Sequence, residues 1–136
     1  MRKRTMRKPA RGISLIEVLV AMTIFSFGVL GMVGMEARAI AYFSDAKYRT
    51  DAALLSDALI NDAWVNRANL ANYAYGGTGT APAPVQPWLN EVKGSLPNAG
   101  ATVGVNGQTL TVTLTWQPPN AAAPHQHTEI ATIQNP

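Results

Sequence analysis

The sequence predicts an α+β protein: a long N-terminal helix, membrane-spanning in its first half and amphipathic in its second, packed on a small antiparallel β-sheet. Three observations predict it. An uncharged run extends from Val18 to Met35 directly behind a basic N-terminus. Apolar residues then recur at helical spacing to about Tyr73, without a Pro or Gly after Gly34. Near the C-terminus, an Asn106-Gly107 pair separates two alternating runs, which is a strong hairpin signal.

The first twelve residues hold Arg2, Lys3, Arg4, Arg7, Lys8 and Arg11, six of the eleven basic side chains, and no acid. The rest of the chain carries five basic against eight acidic residues, so the formal charge of +3 belongs to the leader. A nucleic-acid-binding domain spreads its basic residues over a folded face, so no nucleic-acid partner is expected. At 136 residues there is room for one domain and not for a two-domain enzyme. A hydrophobic share of 47% argues against wholesale disorder. The lack of Cys excludes a disulfide framework, a thiolate metal site and a thiol nucleophile.

The run Val18–Met35 makes a helix of about 27 Å, and starting it at Ile13 lengthens it to roughly 35 Å. A bilayer's hydrocarbon core is about 30 Å thick, so residues 13–35 can span it. The basic cluster holds the N-terminus in the cytoplasm and sends the remainder across, giving a single-pass topology. A secretory signal has a shorter apolar region, of about 7–15 residues, although Ala37-Arg38-Ala39 resembles its cleavage site. Neither that reading nor a plain anchor accounts for Glu17. A carboxylate at the helix centre of a span costs about 2.5–3.5 kcal/mol on insertion scales, and less near an end. The next basic residue is Arg38, 21 positions and about 31 Å further along the helix. A partner for Glu17 must therefore come from the chain's own terminus or from another molecule.

The stretch Lys8-Pro9-Ala10-Arg11-Gly12-Ile13-Ser14-Leu15-Ile16-Glu17-Val18-Leu19-Val20-Ala21 resembles the class III signal peptide of type IV pilins and pseudopilins. The resemblance implies that a prepilin peptidase cuts after Gly12 and methylates the new amine on Ile13. It implies that Glu17, the fifth mature residue, assists assembly. Phe is commonest at the mature terminus in this family, and Ile13 is another bulky apolar residue. In physical terms, cleavage creates an ammonium group that can neutralise Glu17 of a neighbour where neither charge is well solvated. Leaving one member of such a buried pair alone typically costs about 3–5 kcal/mol.

Within the span Gly28, Gly31 and Gly34 recur every third residue. Small residues let membrane helices approach closely, so these three are candidate helix-packing positions. Gly is also simply frequent in membrane helices. Residues 36–73 continue as the amphipathic part, with Tyr48, Ala52, Leu55, Leu59, Ala63 and Leu70 on one face. Lys47, Arg49, Asp51, Asp57, Asp62 and Arg67 form the solvated side.

Residues 74–136 form the periplasmic cap, a loop followed by a short helix and a hairpin. The loop Gly76–Pro84 is flexible by composition and is no phosphate cradle, since no Lys-Ser/Thr follows it. Trp88, Leu89, Val92 and Leu96 fit a short helix ended by Pro97. Ala101–Val105 and Gln108–Trp116 are expected to pair through a type I′ turn at Asn106-Gly107. That would put Leu110, Val112, Leu114 and Trp116 on one face and threonines on the other. Thr128–Ile133 is expected as a third, edge-prone strand. The pilin resemblance implies the same architecture. The Pro87-Trp88-Leu89 to Leu96-Pro97 run and the Thr-rich strand leading to Trp116-Gln117-Pro118-Pro119 resemble the PilV group of minor type IV pilins.

Catalytic, cofactor and metal roles find no support. His125 and His127 fall short of the three or four ligands of a zinc site and read as exposed loop residues. No Ser sits in a Gly-x-Ser-x-Gly elbow. The leading expectation is a structural subunit, a minor type IV pilin stored in the bacterial inner membrane and then built into a pilus. Its partners would be prepilin peptidase, other minor and major pilins, the inner-membrane assembly platform and the lipid bilayer. A minor pseudopilin of a type II secretion system is the first alternative. A signal-anchored periplasmic binding module is the second.

Overall fold

The computed structural model describes residues 14–119 and 121–134. The expected leader, with Gly12 and Ile13, lies outside the described residues. The chain divides into two compact units, the first ending at Ala41 and the second beginning at Tyr42. The first helix, α1, runs Leu15–Val65 and contributes to both.

In the first unit every described residue from Ser14 to Ala41 is exposed. The helix starts where the Ser14 carbonyl accepts from the Glu17 and Val18 amides, at 2.9 and 3.3 Å. The acid in the first turn suits the positive end of the helix dipole. Thr23 and Ser26 turn their hydroxyls back on the Leu19 and Met22 carbonyls, each at 2.8 Å. These are the polar side chains of the Val18–Met35 stretch, and both are satisfied without water.

In the second unit α1 acquires a buried stripe of Ala52, Leu55, Ser56, Leu59, Ile60 and Ala63. This is the expected face, widened by Ser56 and Ile60. Buried Ser56 donates to the Ala52 carbonyl at 3.0 Å, so the core contains no stray hydroxyl there. The regular helix stops at Val65, earlier than the expected Tyr73, and continues as a 3₁₀ segment, Arg67–Tyr73. Asn69 is non-helical within that segment. Asn66, Asn69 and Asn72 are weak helix formers that compete for backbone bonds. The tighter path brings Tyr73 back over the last helical turn, where its hydroxyl donates to Asp62 Oδ2 at 2.5 Å and accepts from Asn66 Nδ2 at 3.0 Å.

Helix α2, Gln86–Ser95, starts with a Pro in its first turn and buries Trp88, Leu89 and Val92. Trp88 Nε1 donates to the Leu55 carbonyl of α1 at 2.7 Å, tying the two helices together. Strands β1 (Gly100–Asn106), β2 (Thr109–Trp116) and β3 (His125–Thr132) form an antiparallel sheet in the order β1-β2-β3. Leu110, Val112, Leu114 and Trp116 of β2 are all buried and join the α1 stripe in one core. Complete burial of each such aliphatic side chain contributes about 1.5–3 kcal/mol.

The hairpin turn corrects the expected one. Asn106 pairs with Thr109, so the two loop residues are Gly107 and Gln108. Positive φ is confined to Gly107 (58°), as in a type II′ turn. Both placements keep the same side chains facing inward, so alternation does not choose between them. The observed one sets Val105 opposite Leu110, where the other would set it opposite Gln108. The apolar cross-strand pair decides the register.

The third strand begins at His125, three residues before its expected start. His125 and His127 are therefore strand residues and not exposed loop residues. They stand opposite Trp116 and Leu114, on the core-facing side of the sheet, with side chains 30% and 32% exposed.

Candidate assembly site

Glu17 stands on α1 one turn from its start. With Val18, Ala21, Met22 and Phe25 it lines a shallow hollow on one side of the helix. Positions 17, 21 and 25 are four apart and share a helical face, and small Ala21 makes the depression between them. The hollow is apolar apart from the carboxylate. Leu15, Ile16, Met22 and Phe25 are each more than 60% exposed, so this unit leaves its apolar surface uncovered. It is the one helix among the described residues long and apolar enough to cross a membrane.

The span glycines have a common property. A Cβ added at Gly28, Gly31 or Gly34 would meet nothing within 4 Å. Packing among the described residues therefore does not require glycine at these positions. The nearest basic residue of α1 to Glu17 is still Arg38, and the expected ammonium donor, Ile13, lies outside the described residues. Sequence reasoning singled out Glu17 and the glycines but missed the hollow beside Glu17. The spacing Glu17-Ala21-Phe25 was the signal that could have found it.

The second unit holds a different polar cluster. Asp45 Oδ2 accepts from Arg49 Nε at 3.0 Å, and Asp45 Oδ1 lies 3.3 Å from His125 Nε2. The latter is a close approach without hydrogen-bond geometry, which leaves Asp45 Oδ1 without a hydrogen-bond partner. The His125 ring packs 5.7 Å from that of Trp116. His127 Nε2 is 3.7 Å from Glu129 Oε2. Among the described residues no three His, Asp or Glu side chains converge as metal ligands would. Lys47 pairs with Asp51 one helical turn on, and that hydrogen bond holds the ammonium above its usual range. Burial, reinforced by the bond to Asp62, pushes the Tyr73 phenol up to about 12.

Residues 7–33 match the family described as the prokaryotic N-terminal methylation motif. The match contains Gly12, Ile13, Glu17, Gly28 and Gly31 and ends one residue before Gly34. No curated protein and no solved structure matches the chain. The motif supports the type IV pilin and pseudopilin superfamily and a structural subunit. A long N-terminal helix packed on a three-stranded antiparallel sheet is consistent with the pilin-like fold.

Proposed function

We propose that this chain is a minor type IV pilin of the PilV group. Prepilin peptidase removes residues 1–12 and methylates Ile13, and the apolar part of α1 holds the subunit in the inner membrane. The subunit is then extracted into a pilus or its initiating complex together with other minor and major pilins. One observation carries the reading: the methylation motif coincides with an exposed, apolar stretch of α1, residues 15–33, in which Glu17 is the one charged side chain. Such a helix is satisfied first by lipid and then by the helices of neighbouring subunits, which are comparably apolar. Extraction thus exchanges one apolar surrounding for another.

Glu17 gives that exchange its register. A carboxylate in an apolar surrounding is strongly disfavoured until a cation meets it. The methylated amine of the next subunit supplies the cation at one axial offset only. The hollow at Ala21 receives an apolar side chain beside that ion pair. The stripe Gly28, Gly31 and Gly34 permits close helix approach further along.

The test is subunit localisation with an assembly variant. The chain is expected in filaments sheared from the cell surface. Glu17→Ala is expected to be processed normally yet to fall about tenfold or more in filaments, in line with the loss of a buried ion pair. A type II secretion pseudopilin shares the motif and is distinguished by the opposite result, a secretion defect on deletion with no chain in surface pili. A signal-anchored binding module would keep its leader and tolerate Glu17→Leu.

A further inference from the structure

The Asn106-Gly107 pair serves the hairpin, and its arrangement also carries chemistry. Every Asn holds an electrophile, the carboxamide carbon Cγ, near a weak nucleophile, the amide nitrogen of the following residue. That proximity underlies the thermal lability of Asn. A side chain on the following residue ordinarily screens the nitrogen, and hydrogen bonds ordinarily occupy both groups. At Asn106 these guards are missing. The residue is exposed, and its carboxamide bonds to no described residue. Gly107 lies in the two-residue loop with φ 58°, and no bond to a described residue engages its amide. A Cβ built at Gly107 would meet nothing within 4 Å, so the approach to its nitrogen is open.

Other asparagines are held and screened. Asn66 donates to the Tyr73 hydroxyl at 3.0 Å and precedes Arg67. Asn90 accepts from Gln86 at 3.0 Å and precedes Glu91. Asn98 donates to the Gln117 carbonyl at 3.3 Å and precedes Ala99. No other Asn of the chain is followed by Gly.

We propose that Asn106 is a site of self-modification, converting to aspartate and isoaspartate in the folded chain. The Gly107 nitrogen gives up its proton and forms a bond to Asn106 Cγ. The Cγ–Nδ2 bond breaks, and the side-chain nitrogen leaves with that proton as ammonia. A cyclic imide then joins the two residues, and water opens it at either carbonyl carbon. Cleavage of the new bond from Gly107 N to Cγ leaves aspartate. Cleavage of the original peptide bond leaves isoaspartate, whose main chain runs through Cβ and Cγ. The net exchange is water for ammonia.

Ring closure requires Asn106 to leave its extended conformation, which opens the last pair of the hairpin, Asn106 with Thr109. Openings at the end of an element lie at the low end of the local free-energy scale. The next pair, Val105 with buried Leu110, and the 2.7 Å bond from the Ile133 amide to the Gln108 carbonyl stay in place. The core therefore remains folded while the tip reacts. Either product adds a negative charge at the end of two strands that carry none. Isoaspartate also lengthens the main chain by a methylene and displaces the pairing with Thr109.

The test follows the full chain in detergent micelles, held at mildly alkaline pH and physiological temperature, by mass spectrometry with backbone fragmentation. Asn106 is expected to show the mass change of an NH2-to-OH exchange and to take up oxygen from isotopically labelled water. Over the same period Asn66, Asn90 and Asn98 are expected to stay unchanged. Asn106→Gln keeps the turn glycine but must close a larger ring, and is expected to lose the conversion. Persistence of Asn106 in the folded chain would overturn the proposal, and conversion only in denaturant would show that the hairpin shields it. Conversion at Asn98 as fast as at Asn106, or an undiminished signal in Asn106→Gln, would overturn it as well.

Discussion

One helix, α1, contains two surfaces built on different plans. Up to Ala41 it is exposed on every side and apolar on nearly every side. From Tyr42 it alternates a buried stripe of Ala52, Leu55, Leu59 and Ala63 with charges such as Lys47, Arg49 and Asp57. The second surface is completed inside the chain by α2 and the sheet. Among the described residues nothing completes the first, so its apolar sequence fits surroundings that other molecules provide. A stability experiment therefore reads the second surface, and an assembly experiment reads the first.

The largest expected effect breaks the core of the second unit. Trp116→Ala, at a residue 2% exposed, should destabilise by about 3–5 kcal/mol. Leu59→Ala should follow at about 2–5 kcal/mol, read from denaturant unfolding of the full chain in micelles by far-UV circular dichroism. The matching truncation in the first unit, Leu19→Ala, should leave that transition within about 0.5 kcal/mol. Equal losses at Leu59 and Leu19 would mean that the two stretches of α1 are not distinct.

A smaller effect is expected where one bond joins α1 to α2. Trp88→Phe keeps most of the ring but removes the donor to the Leu55 carbonyl, and should cost about 1 kcal/mol. Tyr73 gives a pH signature. Its folded phenol titrates near 12, above the ordinary 10.0, so the folded state holds its proton longer than the unfolded chain does. The stabilisation is fully present below pH 10 and is lost as the pH rises from there through about 12. Tyr73→Phe should flatten that alkaline limb relative to the wild type, and an unchanged limb would remove the role given to burial and Asp62. The smallest effect belongs to the solvated face, where Lys47→Ala should leave the unfolding midpoint unmoved despite the Asp51 pair.

Much of this was legible in the residues because the two helical surfaces obey simple periodicities. The uncharged Val18–Met35 run and the stripe from Tyr48 to Ala63 each point to one kind of surrounding. The strong β alternation at Leu110–Trp116 did the same for the sheet. What stayed hidden depended on long-range choices. The turn moved to Gly107-Gln108 because two registers shared the same inward faces and only the Val105–Leu110 pairing separated them. The helix stopped at Val65 because Tyr73 reaches back to Asp62, eleven residues earlier. His125 and His127 joined β3 because β2 offered partners as far as Trp116, and polar side chains in a strand of mixed composition give no alternation to read. At the candidate assembly site Glu17 was legible as a misfit, a charge where none is expected. The hollow beside it needed the helix to be built.

N-terminal mass spectrometry of the chain purified from cell membranes addresses the proposed ion pair at its source. The expected result is a polypeptide beginning at N-methylated Ile13, whose amine is the cation proposed to meet Glu17. A chain that begins at Met1, or one that begins after Ala39, would contradict it.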